Sequence, residues 1–210
     1  MNNSLANAVR LLGAGLRALL VLTVLTGVIY PLAVTGVAQA LFADRANGSE
    51  IKADGRVAGS SLIGQQGYDL AYFQPRPADG LGTNSLNTQY RLILSGATNL
   101  SADSKKLVGS VEQAKAEVVK DNSVPGYTVE PSRVPADAVT SSGSGLDPDI
   151  SPAYADLQVH RVAVRNGLSV SAVQKLVKDH TTGRTLGFMG EPRVNVLELN
   201  IALKDLVTRT

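Results

Sequence analysis

Between Ala18 and Ala43 the chain runs for 26 residues without a charged side chain, ALLVLTVLTGVIYPLAVTGVAQALFA. As an α-helix this run reaches about 39 Å, against a bilayer hydrocarbon core of about 30 Å. Nothing polar relieves either face, so a buried helix of a soluble protein is a poor fit. A secretory signal competes, because Ala38, Gln39 and Ala40 have the A-x-A form of a cleavage site. Signal peptides, however, carry an apolar region of only about 7–15 residues, and here the run is longer and contains Pro31. The expectation is one transmembrane helix over 18–43, preceded by residues 1–17 and followed by a polar connector over 44–60 and a domain over 61–210.

Charge sets the expected orientation. The chain has 20 basic and 18 acidic groups, and Arg10 and Arg17 are the only charged side chains before Asp44. Everything after Ala43 is therefore neutral, and the whole excess of +2 sits at the N-terminus. The positive-inside rule then predicts a cytoplasmic N-terminus and an extracytoplasmic domain. A binder of phosphate backbones needs a clustered basic surface, so nucleic acid is excluded as a partner. The lack of cysteine excludes disulfides, thiolate metal sites and cysteine nucleophiles. Along the apolar run, Thr23, Gly27, Pro31, Thr35 and Gln39 recur every four residues. Small residues let helices approach closely in lipid, which makes this stripe a candidate docking face for other transmembrane helices.

Beyond the connector the pattern predicts an α+β domain of helices with short strands. Ser61–Gln66, Ala71–Gln74 and Tyr90–Leu94 read as extended pieces. A helix is expected from Ser101 to about Asp121, with Leu107, Val111, Ala114 and Val118 on one face. Pro135–Val139 reads as one helical turn. Ser151 as cap, Pro152 at the first turn and Gly167 at the exit punctuate the next helix. Another is expected from Ser169 to about His180, then a turn region over Gly183–Gly190. Asn195 is placed to cap a last helix with Leu199, Leu203 and Leu206 on one side.

Each chemical motif in the domain has a plainer alternative. SSGSGLDPDIS at 141–151 is a glycine-rich loop ahead of a helix, a place where backbone N–H groups can cradle an anion. It lacks the lysine of a phosphate-binding loop, and a tight turn explains it as well. Asp147, Asp149 and Ser151 alternate like calcium ligands, but Pro152 and Gln158 stand where glycine and a bidentate glutamate are needed. No metal site is expected. His160 and His180 fall on predicted helices outside any zinc motif. Glu191 and Arg193 offer a carboxylate and a guanidinium to a ligand, or a structural ion pair. Aromatic residues make up only 4% of the chain, too few for a stacking platform. No constellation amounts to an enzyme. A membrane-anchored extracytoplasmic hydrolase built on Ser144 and His160 is the alternative left standing.

Five motifs carry a family resemblance. They are LTGVIYPL at 25–32; GSSLIGQ at 59–65 with YFQPRP at 72–77; VTSSGSGLDPDISP at 139–152, continuing through Ala155, Gln158 and Arg161; RNGLS at 165–169; and HTTGR at 180–184 with GEPRVNVLELN at 190–200. In order and spacing the chain resembles the C subunit of the Kdp-type potassium-transporting P-type ATPase over nearly its whole length. Only residues 78–102 depart from that pattern. The resemblance implies a non-catalytic accessory subunit, with a channel-like subunit carrying potassium and a P-type subunit hydrolysing ATP. It also implies a catalytic chaperone that raises the ATP affinity of the hydrolysing subunit, with no tightly bound cofactor. ATP enters only through this resemblance; Gln158, Ser144 and Gly145 are the candidate contacts. The matched Gly143, Asp147, Pro148, Ser151, Pro152, Arg161, Glu191, Arg193 and Asn195 are expected to be structural or interfacial. An extracytoplasmic domain stands on the opposite side of the bilayer from cytoplasmic ATP, which favours an assembly role.

Overall fold

A computed structural model describes residues 2–78, 82–83 and 95–209. The expected strand at Tyr90–Leu94 lies outside the described residues. The chain forms two compact units, Met1–Ser49 and Glu50–Thr210.

The first unit is a long helix. Helix α1 (Asn2–Val24) passes through a π turn (Leu25–Ile29) into α2 (Tyr30–Leu41), and a short α3 (Ala43–Ala46) follows. The helix starts well before Ala18 and breaks at Phe42, where the backbone leaves the helical region. The stretch Ser4–Leu41 is long and apolar enough to cross a membrane. Pro31 explains the π turn. It has no N–H to give the carbonyl four residues back, and the chain adjusts by widening one turn, so that Tyr30 N–H bonds to the Leu25 carbonyl. Thr26 Oγ1 donates to the Leu22 carbonyl at 2.7 Å just ahead of it.

The second unit is α+β, as the pattern predicts. Residues 44–60, read as a connector, hold α3 and then a hairpin of β1 (Glu50–Ala53) and β2 (Arg56–Ser60). Its turn is Asp54–Gly55, both at positive φ, the geometry that two-residue hairpins require. Two further strands, β3 (Gln65–Gln66) and β4 (Gly82–Thr83), pair in parallel. Helix α4 (Lys105–Asn122) is capped by Ser104, not Ser101, whose hydroxyl accepts instead from nothing in the helix and donates to Asp103 at 2.6 Å. Leu107, Val111, Ala114 and Val118 do form its inner face, and only Val118, near the end, is fully buried.

Helix α5 (Pro152–Asn166) is the centre of the unit, with eight of its 15 residues buried. Its start and stop follow the sequence: the Ser151 hydroxyl accepts from Tyr154 N–H at 3.1 Å, and Gly167 leaves the helix at φ +66°. Helix α6 (Val170–Asp179), capped by Ser169, and α7 (Val196–Arg209), whose first turn is bonded through Glu198 N–H to Asn195 Oδ1 at 3.1 Å, complete the helical layer. A small antiparallel sheet lies beside them in the order β5 (Asp149–Ile150), β7 (Arg193–Asn195), β6 (Thr181–Thr182). Val194, on the middle strand, is fully buried with Phe73, Val162, Val173 and Leu199 in the same core.

Ser151 is more than a cap. Its N–H and hydroxyl donate to the two oxygens of Asp137 at 2.7 and 2.9 Å, which fixes the hydroxyl so that its lone pair meets Tyr154 N–H. Ser151→Ala should cost about 1–2 kcal/mol, and Asp137→Ala a similar amount. The double variant should cost clearly less than the sum, read as denaturation midpoints in detergent.

Candidate functional site

The glycine-rich loop, its partner segments and a buried polar cluster under α5 form one connected arrangement. Among the described residues no strand pairs with the segment Leu70–Arg76, which runs past α5 and α7, so its backbone groups need other partners. Side chains supply them. Asn200 accepts from Phe73 N–H at 2.8 Å and donates to the Phe73 carbonyl at 2.9 Å. Gln158 does the same for Gln74, accepting at 2.7 Å and donating at 3.2 Å. Asn166 donates to the Ala71 carbonyl at 2.7 Å. Two carboxamides thus stand in for the neighbouring strand that this segment lacks.

Arg161 ties the cluster together and is fully buried. Its Nε donates to Asn122 Oδ1 at 2.8 Å, Nη1 to the carbonyls of Leu70 and Tyr72, and Nη2 to Gln158 Oε1 at 2.7 Å. All four acceptors are neutral. Burial accordingly pushes the guanidinium down to about 10, because no carboxylate in contact offsets the lost hydration. Gln158, named as a candidate nucleotide contact, is fully buried with both carboxamide ends engaged. It offers a ligand no surface in this state.

The loop at 141–151 is likewise occupied from within. Gly145 N–H donates to the Ser142 carbonyl at 3.3 Å, Leu146 N–H to Ser144 Oγ at 3.1 Å and Asp149 N–H to Asp147 Oδ1 at 3.1 Å. The Ser144 carbonyl receives Gly96 N–H and Ser95 Oγ, both at 2.9 Å, and Gly64 N–H bonds to the Leu146 carbonyl at 2.8 Å. Gly145 sits at φ +69°, and a methyl group there would collide with the Gly96 carbonyl. Gly143, in contrast, has open space around it. Several of the N–H groups that an anion would need therefore bond inside the loop.

The loop's carboxylates are also matched. Asp147 pairs with Arg76 at 2.8 Å, and Arg76 reaches on to the Thr140 carbonyl. Asp149 pairs with Arg193 at 3.0 Å, although burial outweighs that pairing and raises its carboxyl above the usual range. The Pro148 carbonyl accepts from Val196 N–H, and Asn195 Nδ2 donates to the Ser61 carbonyl at 2.9 Å. Glu191 and Arg193 do not pair with each other: Glu191 bridges to Arg184 at 2.7 Å. Among the described residues there is no group of His, Asp or Glu able to hold a metal. Ser144 and His160 share no hydrogen bond. His160 instead stacks on Tyr127 with ring centroids 3.7 Å apart, on the wall of an open groove of about 1150 Å³.

In the first unit, the side chains from Ser4 to Leu41 are almost all exposed. A four-residue spacing drifts around an α-helix of 3.6 residues per turn, and the wider π turn at Leu25–Ile29 offsets part of that drift for Thr23, Gly27, Pro31, Thr35 and Gln39. Gln39 is engaged: it exchanges amide hydrogen bonds with Asn47 at 3.0 and 3.3 Å.

The family model described as "K+-transporting ATPase, c chain" matches residues 12–205. This chain belongs to the KdpC family. The potassium-transporting ATPase KdpC subunit of Streptomyces avermitilis is 71% identical, with 99% of each chain covered. That of Streptomyces coelicolor is 69% identical over 99% of this chain and 97% of the relative. That of Mycobacterium tuberculosis H37Rv is 47% identical over 91% and 96%. KdpC membership accounts for the motifs at 59–65, 72–77, 139–152 and 190–200, which the structure brings into mutual contact. Asn200, which completes the Phe73 backbone, carries a sequence signal too: an amide on the otherwise apolar face of the last helix.

The cluster generates two expectations. Arg161→Lys keeps the charge but cannot span four acceptors, and should destabilise the unit by about 3 kcal/mol, measured by chemical denaturation. Burial also holds the Tyr68 and Tyr154 hydroxyls above their ordinary value of 10.0. The folded state then keeps two protons that the unfolded state releases, so stability falls as pH rises above about 10. Arg161 acts with the opposite sign, one group against two. Tyrosinate absorbance should show these two of the six tyrosines ionising only on unfolding, and Tyr154→Phe should move alkaline unfolding to higher pH.

Proposed function

We propose that this chain, an accessory and non-catalytic subunit of a K+-transporting ATPase, works by holding the complex together. Its helix packs, through the stripe from Thr23 to Thr35, against transmembrane helices of a channel-like potassium-translocating subunit and a P-type ATP-hydrolysing subunit. Its N-terminus is cytoplasmic and the unit Glu50–Thr210 rests on the extracytoplasmic side of the channel subunit. Potassium is the cargo of the complex and is not bound by this chain.

The observation that carries this reading is the helix itself, long and apolar enough over Ser4–Leu41 to cross a membrane and exposed along almost its whole length among the described residues. Such a helix needs lipid and partner helices around it. The family's effect on ATP affinity is then transmitted through the hydrolysing subunit. Internal bonding of Gln158, Ser144 and Gly145 supports transmission over direct contact with nucleotide.

Three measurements test it. A single cysteine placed at exposed Leu62 should react with a membrane-impermeant maleimide on intact cells; reaction only after lysis refutes the orientation. Gly27→Leu with Thr35→Leu should reduce co-purification of the two partner subunits roughly tenfold, while Arg161→Lys should affect stability first. Deleting the chain should abolish potassium-stimulated ATP hydrolysis, and full activity without it would end the accessory reading.

A further inference from the structure

The apolar helix is too long for the membrane it crosses. From Asn2 to Leu41 the chain is helical without a break, a rise of about 60 Å. A hydrocarbon core of about 30 Å takes up only about 39 Å of helix even at a tilt of about 40°. One end therefore stands outside the core, and charge selects it. Arg10 and Arg17 are the only charged side chains before Asp44, so the uncharged stretch from Ala18 supplies the span and Ser4–Arg17 lies beyond it.

That extension has two faces. Leu5, Val9, Leu12 and Leu16 recur at spacings of four, three and four, which puts them on one side of the helix. They are 70%, 66%, 72% and 56% exposed. Asn7, Arg10, Ala14 and Arg17 lie across from them, with Leu11 at the border. Neither arginine enters an ion pair among the described residues. The first acidic residue, Asp44, is at the far end of the helix, so both charges stay unneutralised. A surface of anionic headgroups over hydrocarbon matches both faces at once. Arg17 adjoins the span directly, so the extension begins at that surface.

A straight helix would carry the apolar stripe away from lipid, and the sequence supplies a place to bend. Gly13 and Gly15 each weaken a helix interior. A Cβ at either would meet nothing within 4 Å, so no contact within this chain requires them. Sharp bends in helices gather at such residues.

We propose that Ser4–Leu12 turns at Gly13–Gly15 and lies along an anionic leaflet, with Leu5, Val9 and Leu12 facing the hydrocarbon and Arg10 and Arg17 on lipid phosphates. The proposal rests on the membrane-spanning reading of the helix, not on its orientation.

The absence of cysteine makes the test direct. The full chain carrying Leu5→Cys, labelled with an environment-sensitive dye, is reconstituted in nanodiscs of phosphatidylcholine with and without phosphatidylglycerol. Nanodiscs leave both membrane faces open to aqueous quencher. Val28→Cys, within the span, and Val164→Cys, on exposed α5 surface, are the references. A lipid-borne quencher should lower emission at 5 roughly twofold, more with phosphatidylglycerol present, and leave 164 unchanged. Arg10→Gln should reduce the gain from phosphatidylglycerol. Val9→Asn with Leu12→Asn should remove lipid quenching at 5 while far-ultraviolet circular dichroism stays the same. A straight projecting helix holds residue 5 about 18 Å beyond Arg17, so quenching there by aqueous iodide alone overturns the proposal. So does lipid quenching that ignores phosphatidylglycerol. Shielding from both quenchers in the purified complex also overturns it, because it seats the segment in a partner protein. Lipid quenching at 28 reports the span separately: quenching at 28 without 5 removes the surface segment and leaves the membrane reading standing, and no quenching at 28 removes both.

Discussion

A buried guanidinium with no carboxylate in contact holds the unit Glu50–Thr210 in its shape. Arg161 gathers the carbonyls of Leu70 and Tyr72, the carboxamide of Gln158 and that of Asn122 around one positive charge. Gln158 and Asn200 then complete the backbone of Phe73 and Gln74. A buried charge of this kind is tolerated only when its donors are met, so the cluster acts as a unit. It fixes the chain up to Pro75, and Arg76 immediately beyond reaches Asp147 and the loop ahead of α5. The glycine-rich motif is in this sense the far end of the arginine cluster.

That connection changes how the motif is understood. A serine- and glycine-rich loop before a helix invites a ligand, and the family's association with ATP makes the invitation stronger. In the structure the loop's carbonyls and carboxylates are already bonded to residues 64, 76, 95, 96 and 193, and several of its N–H groups bond within the loop. The visible work of the motif is to join these four segments to the start of α5. The chain belongs to the KdpC family of non-catalytic subunits, and the motif's bonding fits a structural part.

Much of the helical architecture was legible because capping is local. Ser151, Pro152 and Gly167 bound α5 within four residues of its ends, and Ser169 and Asn195 mark α6 and α7 in the same way. Ser101 misled by three residues because Ser104 offers the same hydroxyl closer to the periodic face. The hairpin at Glu50–Ser60 has a local signal in Asp54–Gly55, but its polar strands read as a connector. The sheet of β5, β6 and β7 left no trace, since strands of two or three residues are too short to show alternation. The polar clamp was hidden for a different reason: Gln158, Arg161 and Asn200 bond mainly to backbone far away in sequence, and backbone carries no residue-type signal.

The Phe73–Asn200 pair spans 127 residues, about four-fifths of the unit Glu50–Thr210 that it closes. Loops that long are slow to shut, and a chain emerging N-terminus first exposes Phe73 well before Asn200 exists. The first third of the unit therefore waits, its backbone donors met by water, until the final helix is made. The last helix is the latch, and a truncation that removes it should leave the membrane segment intact while the rest of the protein never locks.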